Sequence, residues 1–293
     1  MKYRLVLLFF WSASKLKLRF LHIIGHFVGL CLYILPNKAK YVSQKNINSC
    51  FSHHSESYRD TLLRKSLIEL GKTILELGPL WLWPTEKLLS LVKEIHGIEP
   101  LEACLQGGRG LFAATPHLGA WELCGLVGSS RYPFTAMYRP PRIKELEPWI
   151  IQSRERAGAK LVDFGRQGIK EMIVSLKKGE VVGILPDQEP RDSGGVFAPF
   201  FGVPAYTMTI LSKLAGKTGA AVFFAYMERL PKGQGYRLII HEAQDGIDSD
   251  DEQTAANALN KSIETCISAC PEQYMWSYRR FKRRPPGEPP IYS

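Results

Sequence analysis

The chain has two hydropathy patterns, one near its start and another from about residue 107 onward. Two apolar stretches come first, LVLLFFWSA at 5–13 and FLHIIGHFVGLCLYILP at 20–36. The first follows Lys2 and Arg4 like a signal peptide, but it runs on into the basic SKLKLRF and then the second stretch, which argues against a cleaved leader. The second stretch has 17 residues, the lower edge of the roughly 20 that cross a bilayer. Lys15, Lys17 and Arg19 precede it and Lys38, Lys40 and Lys45 follow, so basic charge gives no orientation. A membrane-inserted or interfacial helix is expected, with a buried core helix as the alternative. Over 56–77, Leu62, Leu63, Leu67, Leu70, Ile74 and Leu75 recur at three- and four-residue steps, which predicts an amphipathic helix. The aromatic LGPLWLWP (77–84) closes it and suits either a core or a membrane-interface belt.

From residue 107 the pattern alternates between short apolar runs and helical spacing. It predicts strand 110–115, helix 118–129, strand 133–138, helix 144–157, strand 160–163, helix 167–178 and strand 181–186. A helix at 206–216, strands at 220–228 and 235–241, and a helix at 251–269 follow. Such alternation predicts an α/β fold with a mixed, largely parallel sheet flanked by helices. The expected organisation is an N-terminal anchor region, 1–40, followed by one domain over 41–293.

Composition fits a folded globular chain, with 45% apolar and 23% charged residues. Net charge +10 implies an acidic partner, whether nucleic acid, anionic lipid or an acidic protein. Six cysteines form no CxxC and no metal-ligand spacing, so reduced thiols and no metal site are expected.

The candidate chemistry sits at strand ends. In GLFAATPHLGAWE (110–122), the strand breaks at Thr115-Pro116 and hands His117 to a helix start. Glu122 lies five residues on, roughly 140° away if both were mid-helix. With His117 in the loop or at the cap, Glu122 could accept from one ring nitrogen and raise the basicity of the other. The alternative is a capping histidine and a solvated glutamate. Arg139 ends FTAMYRP and Asp187 ends VVGILPDQ, so His117, Arg139 and Asp187 could face one crevice beyond the carboxyl ends of the strands. The following loop carries Gly194 and Gly195 and then Phe197, Phe200 and Phe201. Those aromatics suit a wall for a long apolar ligand or a loop tucked into the core. Near the end, Arg279 to Arg284 place five positive charges in six residues, a solvated tail, a nucleic-acid patch or a site for lipid phosphates.

TPHLGAWE, YRP, LPDQ, GGVFAPFFG and PEQYMWSYRRFKRRP (271–285), in this order and spacing, resemble the bacterial lipid A biosynthesis acyltransferases. These are late, Kdo-dependent lauroyl or myristoyl transferases. QKNINSCF (44–51) is similar to another stretch of that family, and the resemblance covers nearly the whole chain. His-x4-Glu alone is shared with the wider glycerolipid acyltransferases; the combination with PEQYMW…RRFKRRP is specific. The chain departs at Pro116 and at Ala120, where the family often has a small residue and an asparagine.

The resemblance implies a glycerolipid-acyltransferase-like fold. It makes His117 and Glu122 the catalytic pair, with Arg139 and Asp187 lining the site. Gly194 and Gly195 join them on the binding loop, and Arg279, Arg280, Arg283 and Arg284 would hold the acceptor's phosphates. The implied donor is an acyl carrier protein thioester, with no other cofactor, and the acceptor a hydroxyl of a membrane-borne lipid A precursor. Partners would be the acyl carrier protein and the inner membrane, not nucleic acid, with the catalytic domain facing the cytoplasm. Rival readings are transfer to another glycolipid or aminolipid, a thioesterase using the same pair, and a membrane-tethered basic binding protein.

Overall fold

The computed structural model describes residues 2–141, 143–190 and 194–292. Helices α1 (Lys2–Ser14), α2 (Leu18–Ile34) and α3 (Lys38–Cys50) lead into the long α4 (Glu56–Leu82). Helix α4 continues past its expected end and through Pro79. Trp83 just beyond is buried and donates from Nε1 to the Ser14 carbonyl at 2.6 Å. That tryptophan is packing, not an interface belt.

After α5 (Thr85–Leu89) come β1 (Val92–His96), α6 (Ile98–Gln106), β2 (Leu111–Ala114), α7 (Trp121–Arg131) and β3 (Phe134–Met137). Then follow α8 (Glu147–Glu155), β4 (Ala159–Val162), α9 (Arg166–Lys177) and β5 (Val181–Ile184). The seven-stranded sheet is completed by β8 (Ala221–Arg229) and β9 (Tyr236–Glu242), in the order β1-β9-β8-β2-β5-β3-β4. Every pairing is parallel except the β8–β9 hairpin. Strands β2 and β5 are central and covered on both faces, which is why LFAA and VVGI are apolar throughout. Phe112, Val182 and Phe224 face one core, with Leu211 of α10 (Ile210–Thr218) and Ile263 of α11 (Glu252–Ala269). Leu111, Val181 and Phe223 face the other, with Leu101 of α6 and Leu123 of α7.

Two expectations are corrected. The helix expected at 206–216 begins only at Ile210, because β6 (Gly195–Phe200) and β7 (Val203–Met208) form an antiparallel hairpin. The loop after Asp187 is therefore partly strand; its residues 191–193 lie outside the described residues. Phe200 and Phe201 turn into the core, Phe201 against Phe51 with 5.2 Å between ring centroids. Phe200 is a core side chain and Phe201 is partly buried against that core.

Among the described residues no single helix is long and apolar enough to cross a membrane. Leu18–Ile34 and Lys38–Cys50 pass together by length and composition, but with a 78° bend. Helix α2 runs antiparallel to α4: His22 meets Glu76, Gly25 meets Lys72, Gly29 meets Ile68 and Tyr33 meets Asp60. A Cβ on Gly71 would lie 2.2 Å from the Gly25 carbonyl oxygen, so the two backbones touch there.

Candidate active site

Strands β2 and β5 are neighbours in register, Ala114 beside Ile184, so the segments leaving their carboxyl ends run side by side. That adjacency brings His117 to Asp187. Asp187 Oδ1 lies 2.8 Å from His117 Nδ1, and Oδ2 accepts from the His117 backbone N–H at 2.9 Å. Burial opposes ionisation of Asp187, but the charge and hydrogen bonds of His117 outweigh it and hold its carboxyl below the usual range. An ionised Asp187 can only accept, so Nδ1 carries a proton, which in a neutral ring leaves the lone pair on Nε2. Gln188 Nε2 lies 3.2 Å from that nitrogen and donates to it, and the Trp121 ring stands 5.1 Å away, centroid to centroid.

The pairing of His117 with Glu122 is corrected. Glu122 faces Arg154 of α8, with Nε to Oε2 at 3.0 Å and Nη2 to Oε1 at 2.5 Å. Both Glu122 oxygens are engaged by this fork, so the group that orients the imidazole is Asp187. Arg154 had no signal in the sequence beyond an i, i+4 place on α8 relative to Ile150.

The loop 117–120 is held from two sides. Leu118 bridges Tyr274, and the Gly119 N–H and His117 carbonyl bond to Gln273 and Met275. On the other side Ala120 N–H donates to the Met227 carbonyl at 2.8 Å, and Arg229 Nη2 donates to the Gly119 carbonyl at 3.0 Å. Gly119 has φ +61, and a Cβ there would lie 1.9 Å from the Met227 oxygen, so only glycine fits. This clamp delays α7 to Trp121 instead of 118.

Arg229 also reaches Glu76 at 2.7 Å and Thr73 at 2.6 Å. Glu76 is fully buried and takes further hydrogen bonds from Tyr236 and His22. Burial would raise the Glu76 carboxyl; the Arg229 and His22 contacts prevail and lower it to about 2.

Beside Glu122 opens a cavity of about 130 Å³ between α7 and the sheet. It reaches from Thr115, Trp121 and Glu122 at the carboxyl end to Arg131, Tyr132 and Ala159 at the other. Along α7 this is about 15 Å at the helical rise per residue. Its sheet wall contains Ala136, Gly183 and Ala113, which are register partners on three adjacent strands. Small residues in that row leave a trough where larger ones would fill the space. Gly125 borders it, and a Cβ there would meet nothing within 4 Å. Cys124 also lines it, but burial pushes its thiol up to about 12, so it stays protonated and unreactive.

The remaining sequence candidates are dispersed. Arg139 is exposed at the end of β3, its guanidinium 5.3 Å from the Phe164 ring centroid. The Gly194 carbonyl accepts from Thr209, and the Gly195 N–H donates to the Tyr206 hydroxyl, so both secure the hairpin base. Arg280 is corrected as a phosphate ligand. It is buried, with bonds to the Tyr206 carbonyl, Thr207 and Asn260, and ties the hairpin to α11. Arg284 is bonded to the Pro204 carbonyl and to Glu288. Arg279 and Arg283 are half-buried and stack on Tyr292 and Tyr206, while Lys282 is exposed. Among the described residues no group of three or more His, Cys, Asp or Glu could hold a metal ion.

The family described as bacterial lipid A biosynthesis acyltransferase matches residues 2–283. A lipid A biosynthesis palmitoleoyltransferase of Escherichia coli (strain K12) is 33% identical over 96% of this chain and 91% of its own. A lipid A biosynthesis lauroyltransferase of the same organism is 34% identical over 96% of this chain and 92% of its own. Its lipid A biosynthesis myristoyltransferase is 25% identical, covering 83% and 75%.

Proposed function

The chain belongs to the bacterial lipid A biosynthesis acyltransferase family, and from that premise we propose a reaction in which His117 is the base. It is an acyltransferase of lipid A biosynthesis. The donor is an acyl carrier protein thioester, and the acceptor a hydroxyl on a 3-hydroxyacyl chain of a lipid A precursor. An acidic carrier suits a chain of net charge +10.

A hydroxyl ionises far above neutral pH and needs a base as it attacks. His117 Nε2 removes the proton while the oxygen bonds to the thioester carbon. Asp187, ionised and on Nδ1, stabilises the imidazolium that results. The C–S bond then breaks, and the leaving thiolate takes the proton back from Nε2. Base catalysis of this kind contributes roughly 10²- to 10⁴-fold. Helix α7 begins without a capping side chain, so the N–H groups of Trp121 and Glu122 at its start can receive the charge on the thioester oxygen. The trough beneath α7 takes the acyl chain, with the Glu122–Arg154 pair at its mouth. Arg279, Lys282 and Arg283, half-buried to exposed, meet the acceptor phosphates. A membrane-borne acceptor and an acyl carrier protein donor suit an enzyme at the inner membrane with its site toward the cytoplasm.

The observation that carries this reading is the two-point hold of Asp187 on His117 beside an apolar cavity. The test is an assay with acyl carrier protein thioesters of several lengths and a Kdo-bearing lipid A precursor, using wild type and His117→Ala. Acylated lipid from wild type alone supports it. Thioester consumption without acylated lipid would instead indicate a hydrolase or another acceptor, and equal activity in His117→Ala would remove the base.

A further inference from the structure

We propose that α1 and α2 lie in the plane of an anionic bilayer surface as one monotopic face, and that neither crosses it. The proposal rests on the reading above only for the presence of a membrane, not for the catalytic residues.

Three observations carry it. The first is the pattern of exposure. On α2, Leu18, Leu21, His22, Gly25 and Gly29 are buried against the body. Phe20, Ile23, Ile24, Phe27, Val28 and Ile34 are exposed on the opposite side. Both stripes follow helical spacing, so one face of α2 is packed on protein along its whole length and the other is unpartnered and apolar. Helix α1 continues the face with Leu5, Leu8, Phe9 and Trp11 exposed, over a buried side formed by Phe10 and Ala13.

The second is what α2 is fixed to. It runs backbone against backbone along α4, with Gly25 and Gly29 against Gly71 and a buried His22–Glu76 bond. Crossing the bilayer would carry α4 in as well, with Arg64, Lys65 and Asp60 exposed on it. Charges in hydrocarbon are costly. Detaching α2 would remove the buried His22 bond to Glu76 and break the glycine contact. At 17 residues α2 is about 26 Å long, short of the roughly 30 Å hydrocarbon thickness. Lying flat needs neither change.

The third is charge. Residues 1–55 contain eight Lys or Arg and no Asp or Glu, the first acidic residue being Glu56. Lys15 sits 4.9 Å over the exposed Trp11 ring, with Lys17 and Arg19 exposed in the same turn. Apolar side chains flanked by tryptophan and lysine fit the boundary between acyl chains and anionic head groups. Val6 and Leu7 of α1 pack on Tyr138, Leu146 and Ile150. Ile143 and Trp149, near these residues in sequence, are also exposed, on the segment leading into and along α8, the helix that carries Arg154.

The full-length protein is tested in two ways. In flotation with vesicles of phosphatidylcholine, with or without phosphatidylglycerol, wild type is expected to float better with phosphatidylglycerol and to lose that gain in high salt. Ile23→Glu and Phe27→Glu should lower partitioning by about tenfold without lowering the melting temperature; failure of wild type to float overturns the proposal. For topology, cysteines replace Lys15 and Lys38 in a Cys31→Ser background, and intact spheroplasts receive an impermeant maleimide. Labelling of both sites only after lysis is expected. Labelling of either from outside shows a span and overturns it. Neither readout depends on turnover, so an active His117→Ala enzyme would sink the catalytic reading and leave this result standing.

Discussion

Asp187 holds His117 at two points, Oδ1 on the ring Nδ1 and Oδ2 on the backbone N–H. The ring therefore cannot turn without breaking a bond to a buried anion. Asp187→Asn keeps the volume but presents an amide N–H to one of two donors. Loss of about 10³- to 10⁴-fold in kcat is expected with the fold intact, read by single-turnover acyl transfer. A variant within tenfold of wild type would show that the hold is structural only.

Glu122 and Arg154 form a forked ion pair at the mouth of the trough. Removing either leaves the other charged and partly buried. Glu122→Ala, Arg154→Ala and the double variant are expected to lose activity to a similar degree, so the double-mutant cycle is strongly non-additive. If Glu122 acted on His117 directly, Arg154→Ala would instead retain activity.

Gly125 borders the trough with open space where a side chain would go. Gly125→Leu should fill that space and shift the preferred donor toward shorter acyl chains, in a competition among thioesters of different length. Gly125→Ala, in a helix interior, should stabilise by about 0.5–1 kcal/mol and barely move the length profile.

Glu76 is buried with Arg229, His22 and Tyr236 on it. Its carboxyl is lowered to about 2 from a reference value of 4.5, so the native state favours the ionised form. That contribution is present above the unfolded pKa and is lost as pH falls from the reference value toward 2. Glu76→Gln is expected to cost about 3 kcal/mol at pH 7, since it removes the nearer of two carboxylates on the buried Arg229 and leaves only Glu69, at 3.6 Å. Its stability should then fall less than that of wild type between pH 5 and 3. Thermal melts in detergent across that range check both statements.

Arg280 and Arg283 are near neighbours with different surroundings. Arg280→Met should lower the melting temperature, because Tyr206, Thr207 and Asn260 lose their partner. Arg283→Ala should raise the acceptor's KM with kcat unchanged. An unchanged KM removes Arg283 as a phosphate contact.

The strands that set the site were legible because LFAA and VVGI are short, apolar and bounded by Gly, Pro and polar residues. His117 and Asp187 stood out by ending those strands, and β2–β5 adjacency brings them together. Pairing across strands was not legible. Glu122 is near His117 in sequence, yet its partner Arg154 lies 32 residues on, where spacing says nothing. YTMT at 206–209 fits a strand or a helix equally, and only the partner strand β6 decides it. Arg280 looked like one charge in a basic run; its burial depends on Asn260 and Thr207, which carry no local signal. The row Ala113, Gly183 and Ala136 was visible residue by residue, but its alignment needs the register.

The clamp on Gly119 has a consequence for synthesis. One jaw, Met227 and Arg229, and the other, residues 273–275, are translated long after the loop they grip. Met275 follows His117 by 158 residues, roughly 8 to 32 seconds at common elongation rates. Asp187 follows His117 after 70 residues, but until residues 273–275 are made the loop 117–120 is gripped from one side at most. A chain cut short before residue 273 would have α1 to α4 and the strand ends, but a loop held from one side only.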